Sequence, residues 1–466
     1  MKKLLLTFGM LCPFLAPATI LNVPGNYSTI QAAVNAAVAG DTVLVEPGMY
    51  FENIRFTGQD ILLTSRYYLN SDTSFISSTI INGSQPQNPD TASCILVTNG
   101  ETSDCVIQGF TITGGAGTIW LDVHGAGTFR EGGGILTEFA SPTIRFNIIR
   151  DNPVTDNNGV NATGGGGIRC GDGDPLIANN VICRNQGEYG AGIVMNYCTG
   201  KIVNNLIVNN TGGQAFGGAG VWCTGTNTMT VVKLVNNTIA YNDAVGSGTY
   251  GGKGGAVFVF SVRVDSYNNI IWGNTQTAGG PLAAFMGGQI PARYSDIQGG
   301  YTGVGNINVD PMFSDTMCFH LDSLSPCVDA GDTLITDRTT DSINPAPPAL
   351  GTLRSDMGCY GGFDEYVLPC CPAVSGVGMV ALENRKIWSA YPNPAANGTF
   401  TLYNSSAKPE TVTVIVRDML GKTVFEKRTT ESKIQVPVSA WPAGVYSWQV
   451  TGNENRQEQG RVMITK

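Results

Sequence analysis

The sequence is poor in charge, in histidine and in long apolar runs. Charged residues make up 14 % of the 466 positions, only two residues are histidine, and the formal net charge is −9. Because no cluster of Lys and Arg is present, nucleic acids and anionic membrane surfaces are excluded as main partners. No run beyond the N-terminus approaches the ~20 apolar residues that span a bilayer, so the sequence predicts no transmembrane segment after signal removal.

Glycine is abundant instead, with 60 residues, and 42 % of the chain is hydrophobic. The glycines follow no Gly-X-Y period, which excludes collagen. Because glycine adopts positive φ without steric cost, this composition favours short strands that are joined by tight turns. The hydrophobic fraction is large enough to form a core.

The N-terminus has the three parts of a secretory signal. Lys2 and Lys3 give a positive start, residues 4–15 are mostly apolar, and residues 16–18 form a small-x-small cleavage site. Residues 1–18 are therefore predicted to be a signal peptide. Cys12 lacks the small residue that precedes the cysteine of a lipoprotein signal, so we do not expect lipidation.

The chain has twelve cysteines and no Cys-x-x-Cys pair. Once the signal peptide is removed their number is odd, so we expect at least one free or intermolecular thiol. Export permits disulfides, and we expect one between Cys318 and Cys327 first and one between Cys94 and Cys105 next. The vicinal pair at 370–371 is a poor zinc motif, and the sequence predicts neither a metal site nor a cofactor.

Two short cassettes recur in the same order through the middle of the chain. Aligned on the second asparagine, an Asn-Asn-aliphatic-Ile cassette recurs at steps of 33, 25, 32 and 32 residues, counting a degenerate first copy. Its copies are residues 146–149, 179–182, 204–207, 236–239 and 268–271. A Gly-rich cassette that ends in Ile or Val precedes each copy, at residues 132–135, 165–168, 190–193, 218–221 and 254–257. Repetition at this period indicates a solenoid.

A step near 25 residues accommodates one solenoid coil of three short strands and their turns. The glycines and β-branched residues disfavour helical repeats, and a Leu-rich consensus is missing. Stacked coils would align Ile and Val in inward columns and the asparagines in hydrogen-bonded ladders. The open end of a solenoid needs a cover. Residues 28–39 form an amphipathic helix pattern, capped by Ser28 or Thr29, that is well placed to plug it.

Several of these segments resemble pectate-lyase-like parallel β-helix proteins. Residues 27–33 and 40–50 are similar to the start of those proteins, and both cassettes resemble the repeat of that superfamily. Four later segments resemble the closing coils of that superfamily, at residues 294–300, 308–313, 325–331 and 356–360. The resemblance covers residues 22–366 and implies a right-handed parallel β-helix. It implies no activity, because function resides in the site that a fold carries.

The composition changes towards the C-terminus. Residues 367–388, with their Pro and Gly, are predicted to be a linker, and the β-rich segments of residues 389–466 predict a small β-sandwich. This last region resembles a type IX secretion C-terminal sorting domain of type A. The matching residues are Pro392, Asn393, Pro394, Gly421, Lys422, Gly444, Val445, Tyr446 and Lys466. The alternative is a generic immunoglobulin-like carbohydrate module.

The sorting-domain resemblance implies a partner and a location. The type IX secretion machinery would carry the chain across both membranes of a Gram-negative cell, to be secreted or attached at the outer cell surface.

The loops that precede the Gly-rich cassettes should stack on one side of the solenoid, and residues 115–131 are the richest of them in reactive groups. His124, Arg130 and Glu131 lie there, with Asp122 close by. His124 would act as a base, and Arg130 would bind a uronate carboxylate bidentately. The alternative is a solvated surface loop.

A second group of candidates follows on the next coils. Asp172 and Asp174 either pair with Glu188 as a carboxylate set or belong to an ordinary turn. Tyr189 and Trp222 either stack on sugar rings or pack in the core. Four aspartates could supply oxygen ligands for Ca²⁺, although their spacing is unlike that of an EF-hand. They are Asp329, Asp332, Asp337 and Asp341.

The sequence thus predicts an all-β passenger, a right-handed parallel β-helix followed by a small C-terminal β-sandwich. The catalytic carboxylate clusters of the known lyase and epimerase families are not visible. We therefore expect a surface protein that binds polysaccharide or is adhesive. The alternative is a polysaccharide lyase or glycoside hydrolase that acts in a lateral groove, with paired carboxylates or with a base, Arg and Ca²⁺.

Overall fold

The chain forms a parallel β-helix from Ile20 to Ile297 and a separate set of antiparallel sheets from Trp388 onwards. The predicted signal peptide lies outside the described residues except for Ala18. The computed structural model describes residues 18–226, 231–247, 249–278, 285–286, 289–338, 349–362, 368–370, 388–391, 395, 398–404, 411–418, 422–431, 433–452 and 457–464.

Successive coils of the β-helix add strands to four sheets, numbered here 1 to 4 in the order in which a coil passes them. Sheet 1 consists of Ile20–Val23, Thr42–Val45, Leu62–Ser65, Val106–Gln108, Thr143–Arg145, Leu176–Ala178, Lys201–Val203, Val231–Val235, Arg263–Tyr267 and Ala292–Arg293. Sheet 2 consists of Gly48–Tyr50, Thr79–Asn82, Thr111–Thr113, Ile148–Arg150, Val181–Cys183, Leu206–Val208, Thr238–Ala240, Ile270–Trp272 and Asp296–Ile297.

The other two sheets complete each coil. Sheet 3 consists of Thr91–Ala92, Gly117–Leu121, Thr128–Glu131, Thr163–Gly164, Gln186–Tyr189, Thr211–Gly217, Asp243–Ala244 and Thr275–Gln276. Sheet 4 consists of Ile54–Arg55, Ile95–Val97, Ile135–Glu138, Ile168–Gly171, Ile193–Asn196, Val221–Thr224, Val257–Phe260 and Phe285–Met286. Among the described strands of the β-helix, only Gly117–Leu121 runs antiparallel to its neighbours.

The expectation of three strands per coil was wrong, because the stretch between sheet 2 and the Gly-rich cassette pairs as a sheet of its own. The cassette itself forms the corner between sheets 3 and 4, where neighbouring coils approach closely. A Cβ atom on Gly167 would lie 2.5 Å from the carbonyl oxygen of Gly192, and one on Gly134 equally close to that of Gly167. A side chain at Gly134 or Gly167 would therefore collide with the backbone of the next coil.

Aliphatic columns fill the interior, as the repeat predicts. In sheet 2 the register places isoleucines directly above one another, and each is at most 2 % exposed. This column consists of Ile81, Ile112, Ile149, Ile182, Ile207, Ile239, Ile271 and Ile297. Full burial of such a side chain stabilises the fold by about 1.5–3 kcal/mol.

The two asparagines of each cassette have different roles. The first adopts positive φ at the corner between sheets 1 and 2, for example 56° at Asn179 and 53° at Asn204, a conformation that asparagine tolerates well. The second is buried and forms the predicted ladder. In each step the backbone N–H and the side-chain amide of one asparagine donate to Oδ1 of the next, as from Asn180 to Asn205 at 2.9 and 3.0 Å.

A second ladder, which the sequence analysis missed, lies at the corner between sheets 2 and 3. Asn185 donates to Oδ1 of Asn210 from its backbone N–H and from its side chain, both at 3.0 Å. The complete row is Asn152, Asn185, Asn210, Asn242 and Asn274. Each of these residues follows the ladder asparagine of the first row by five positions.

A short helix covers the N-terminal end of the solenoid, as expected, although it spans Ile30–Ala36 rather than residues 28–39. Thr29 caps it by accepting the N–H of Ala32 at 3.1 Å, and Ile30 and Val34 are fully buried. Two further helices, Tyr67–Asn70 and Ser74–Ser78, lie between sheets 1 and 2 in the chain. No described helix is long and apolar enough to cross a membrane.

The disulfide predictions were wrong. Cys318 is bonded to Cys370, 52 residues away, whereas Cys327 is a buried free thiol. Cys94 and Cys105 are also buried and free, and burial raises the pKa of the Cys94 thiol to about 12. Cys183 is disulfide-bonded as well. Spacing along the chain misled because the segment after the last coil folds back along the solenoid.

Part of this closing segment lies on the outside of the corner between sheets 1 and 2. Asn236 Nδ2 donates to the carbonyl oxygen of Asp356 at 3.0 Å, and Asn204 Nδ2 donates to that of Gly361 at 2.6 Å. Residues 356–360, which resemble a closing coil, add no strand to the four sheets. They pair instead with the outward row of corner asparagines.

The C-terminal region forms two antiparallel sheets around one buried core, which confirms a small all-β unit. One sheet consists of Trp388–Tyr391, Thr399–Asn404 and Lys433–Pro437, and the other of Val412–Arg417, Thr423–Thr429, Gly444–Thr451 and Gln457–Ile464.

Candidate functional site

The candidate site is built on a hairpin that interrupts the regular coils. Strands Gly117–Leu121 and Thr128–Glu131 pair in sheet 3, and residues 121–127, which join them, are called the strap below. The strap folds over the outward face of sheet 4. Asp122 shapes it by accepting the backbone N–H of His124 at 2.8 Å and that of Ala126 at 3.3 Å.

His124 lies at the far side of sheet 4, where the chain turns into sheet 1. Its Nε2 contacts the carboxylate of Asp172 at 2.9 Å, and its ring stacks on Tyr197 with 3.6 Å between centroids. Asp172 and Tyr197 both adopt positive φ at this corner. Burial, followed by the charges of Asp122 and Asp172, raises the pKa of Tyr197. His124 and Asp172 thus form one partly exposed pair.

Glu131 is part of a different, buried cluster. Its Oε1 accepts the hydroxyl of Tyr189 at 2.6 Å, and its Oε2 lies 3.0 Å from Nε of Arg169. The same guanidinium forms an ion pair with Glu138. Burial, with the charge of Glu131, raises the pKa of Tyr189 well above its usual range. Two carboxylates therefore share one arginine in a desolvated setting.

Gly171 makes room for this cluster. It is the register partner of Glu138 on one side and of Asn196 on the other. A Cβ atom at this position would overlap both the Glu138 carboxylate and the Arg169 guanidinium. The absence of a side chain at Gly171 is therefore a condition for the buried ion pair.

The structure separates the three predicted catalytic residues. Arg130 points away from His124 and donates to the carbonyl oxygen of Pro89 at 2.7 Å, with Asp90 and Asp156 at 3.6 and 3.7 Å. Glu131 follows Arg130 in the same strand, so its side chain lies on the opposite face. His124, Arg130 and Glu131 thus contact three different sets of partners.

The predicted carboxylate set is also divided. Asp172 joins His124, whereas Asp174 is exposed in a turn and its N–H donates to Ser141 at 3.0 Å. Glu188 accepts from the backbone N–H of Thr163 at 3.0 Å. The three carboxylates of the set are not brought together.

Aromatic side chains continue along the outward face of sheet 4. Trp222 and Phe258 are register partners, and Phe260 follows on the same face as Phe258. Tyr250 contacts both phenylalanines edge-on, at 6.0 Å between centroids. Tyr250 is 40 % exposed and Phe260 is 46 % exposed. We call Trp222, Tyr250, Phe258 and Phe260 the aromatic strip.

Tyr189 lies at the inner end of this strip. It contacts Trp222 at 5.2 Å and Phe216 at 5.6 Å between centroids, and it is only 3 % exposed. Its position fits the core alternative better than sugar stacking, whereas Trp222 is only partly buried.

Sequence reasoning missed Glu138, Arg169 and Tyr197. One signal was available: Arg169 stands immediately after the Gly-rich cassette, where the other copies have Leu136, Val194, Trp222 and Phe258. A charge in an otherwise apolar column marks a special environment.

The calcium candidates bind backbone groups instead. Asp329 accepts the N–H of Thr352 at 2.9 Å, Asp332 that of Leu334 at 3.1 Å, and Asp337 that of Asp356 at 3.1 Å. Asp341 lies outside the described residues. A separate group with metal-ligand types is Asp315, Cys318 and His320. Because Cys318 is oxidised in a disulfide, it offers no thiolate to a metal.

The C-terminal region decides the destination of the chain. Residues 389–465 match the family model described as a secretion system C-terminal sorting domain. This region is a type IX sorting domain. A sorting domain of this kind directs export through the type IX machinery and attachment to the outer cell surface, as the sequence predicted.

Four of the residues that carried the sorting-domain resemblance are described. Gly444, Val445 and Tyr446 begin strand Gly444–Thr451, and Tyr446 donates its hydroxyl to the carbonyl oxygen of Pro442 at 2.9 Å. Lys422 donates its N–H to Asp418 at 2.9 Å. The remaining residues, Pro392, Asn393, Pro394, Gly421 and Lys466, lie outside the described part.

The solved structures give only partial likenesses. One is a DUF3244 family protein with an immunoglobulin-like β-sandwich from Bacteroides vulgatus, with 21 % identity over 16 % of this chain and 82 % of that chain, and a TM-score of 0.15. Another is PorZ, an essential surface component of the type IX system of Porphyromonas gingivalis, with 15 % identity over 17 % of this chain and 11 % of that chain, and a TM-score of 0.15. No curated protein matches the chain.

Proposed function

We propose that the β-helix is a surface-attached passenger that binds polysaccharide along the aromatic strip. The supporting observation is the exposure of Tyr250 and Phe260, beside the partly exposed Trp222, on one outward face. Phe258, which is 3 % exposed, packs beneath Tyr250 and supports its ring. Isolated apolar side chains on a surface need no explanation, but a contiguous aromatic group points to an interaction.

Sugars suit such a surface. Aromatic rings offer a flat apolar face together with a polar edge in Tyr and Trp, and pyranose rings present flat C–H faces bordered by hydroxyl groups. Nucleic acid is a poor alternative, because the chain carries a net negative charge.

The strip is tested by binding of the full-length protein to a glycan array, followed by titration of the best polysaccharide. Replacing Trp222 and Tyr250 by Ala should weaken binding at least tenfold, since each stacked ring contributes on the order of 1 kcal/mol or more. Tyr68, half exposed on a remote helix, provides the matched control Tyr68→Ala, which should bind like the wild type. Equal loss in all variants, or none in the strip variant, would refute the assignment.

A second candidate function, cleavage of a polysaccharide in the lateral groove, draws on the carboxylate cluster. Glu131 and Glu138 flank Arg169, and glycoside hydrolases use paired carboxylates. A reducing-end assay on the polysaccharides that bind would detect hydrolysis, and absorbance of unsaturated products would detect elimination. Activity that survives Glu131→Gln and Glu138→Gln would exclude these residues as the acid and base.

A further inference from the structure

The strap covers polar residues that would otherwise face solvent. Glu138, Arg169 and Asn196 lie on the outward face of sheet 4, yet each is at most 7 % exposed. Two coils further along, Phe260 occupies the same register column as Glu138 and Asn196 and is 46 % exposed. The outward face is therefore closed where the strap crosses it and open where the aromatic strip begins.

Polar contacts hold the strap in place. Asp122 Oδ2 accepts from Asn196 Nδ2 at 3.2 Å, and His124 pairs with Asp172 and stacks on Tyr197. The apolar side chains of the strap do not anchor it, because Leu121 is 67 % and Val123 is 54 % exposed. The strap is thus held by one buried hydrogen bond and one partly exposed ion pair rather than by apolar packing, and a segment with so few buried apolar contacts opens at a lower cost in free energy than the strands beneath it.

Two glycines in positive φ stand towards the C-terminal end of the strap. Gly125 and Gly127 adopt φ of 84° and 115°, and a Cβ atom on Gly125 would meet no atom within 4 Å. Residues of this kind absorb backbone rotation when a loop moves.

We propose that the strap is a lid, and that the polar surface beneath it extends the proposed glycan-binding surface beyond the aromatic strip. This inference rests on the proposed function for the identity of the ligand. When the lid is displaced, Glu138, Arg169 and Asn196 become continuous with Trp222 along one face, and a longer polysaccharide segment binds than the strip alone accommodates.

The covered surface fits a neutral, hydroxyl-rich sugar rather than a uronate. Asp122, Glu131 and Glu138 bring three carboxylates to the neighbourhood of one guanidinium, that of Arg169. Carboxylates accept hydrogen bonds from sugar hydroxyls, whereas Arg169 and Asn196 donate to them. A uronate carboxylate would add like charge to this group and is disfavoured.

The lid is tested without any ligand by the reactivity of Arg169. Phenylglyoxal modification, mapped by mass spectrometry, is compared in the full-length wild type, in Asp172→Asn and in Asp174→Asn. The first variant keeps a residue that tolerates positive φ but weakens the contact to His124. Modification of Arg169 should accelerate about fivefold, the change expected when one partly exposed ion pair is weakened. The control variant, Asp174→Asn, changes an exposed carboxylate two positions away, and its Arg169 should be modified at the wild-type rate.

Binding then separates the lid from the proposed function. With neutral oligosaccharides of increasing length, Asp172→Asn should gain affinity for the longer ones only. An unchanged rate at Arg169 in both Asp172→Asn and His124→Ala overturns the lid, even where Trp222-dependent binding persists. Faster modification without any Trp222-dependent binding retains the moving strap but overturns its role in glycan recognition.

Discussion

Asn205 illustrates how buried asparagines connect successive coils of the β-helix. Its side chain accepts both donors of Asn180, and its amide donates to the carbonyl oxygens of Ile177 and Val203 at 2.8 and 3.0 Å and to Asn237 at 3.1 Å. It is fully buried, so every one of these groups would lack water as an alternative partner.

We expect Asn205→Ala to reduce the free energy of unfolding by roughly 3 kcal/mol or more, because buried donors and acceptors on two coils lose their partner. Urea denaturation followed by circular dichroism measures this change. Asn157→Ala, at an exposed position, should alter stability by less than about 0.5 kcal/mol. Similar effects of the two substitutions would contradict a structural ladder.

Arg169 connects neighbouring coils through buried ion pairs, as the ladder asparagines do through buried hydrogen bonds. Replacing it by Met would leave the buried carboxylates of Glu131 and Glu138 without their cation, at a cost of about 3–5 kcal/mol near pH 7. A triple variant with Arg169→Met, Glu131→Gln and Glu138→Gln removes the buried charges and should recover most of the loss. Equal instability of the single and triple variants in urea would show that charge is not the cause.

Elements of the β-helix differed in how far they could be predicted. The ladder at the first corner could be predicted because its asparagine is followed two positions later by Ile in every coil. The second ladder escaped notice because the residues before it vary, as Asp151, Arg184 and Tyr241 show. The pairing of Arg169 with Glu138 and the contact of His124 with Asp172 could not be predicted. The first depends on two single departures from the apolar repeat in adjacent strands of sheet 4, and the second on how an inserted hairpin folds across neighbouring coils; periodicity encodes neither.

The last coil contains an ionisable group that makes its attachment sensitive to pH. Asp296 accepts the N–H of Val309 at 3.1 Å and the thiol of Cys327 at 3.3 Å, and so links the final strand to the closing segment. Burial raises the pKa of Asp296 to about 7. Because the unfolded carboxyl ionises near pH 4, its contribution to stability is complete below pH 4 and is lost as the pH rises to 7.

Asp296→Asn should therefore flatten the pH dependence of stability. Between pH 5 and pH 8 the wild type should lose roughly 3 kcal/mol more than the variant, as measured by urea denaturation at both values. Asp104→Asn, at an exposed position, should keep the wild-type dependence. A wild type whose stability rises over this interval relative to Asp296→Asn would contradict the assignment.

At the scale of the whole molecule, the region that directs export is separate in sequence from the β-helix, which carries the proposed binding surface. The sorting domain could be predicted from short motifs in a fixed order near the C-terminus, and the comparison with known families confirmed it. The aromatic strip and the polar surface beneath the strap could not be predicted in the same way, because they depend on which side chains of different coils meet.

Deleting residues 389–466 should abolish surface exposure, because the domain that the type IX machinery recognises is lost. Surface biotinylation and cell fractionation measure the outcome, and the truncated chain should accumulate inside the outer membrane. As a control, the full-length variant His124→Ala keeps the sorting domain and should still reach the cell surface. Normal surface exposure of the truncated chain would contradict the role of the sorting domain in its export.

Hydroxyl-radical footprinting with a bound polysaccharide tests the central claim most directly, because it reports which face of the β-helix the ligand covers. The full-length protein is oxidised with and without the polysaccharide that binds best, and the modified residues are mapped by mass spectrometry. We predict protection of Tyr250, Phe260 and Trp222, and none of Tyr68. Protection confined to another face, with the aromatic strip as reactive as in the free protein, would contradict it.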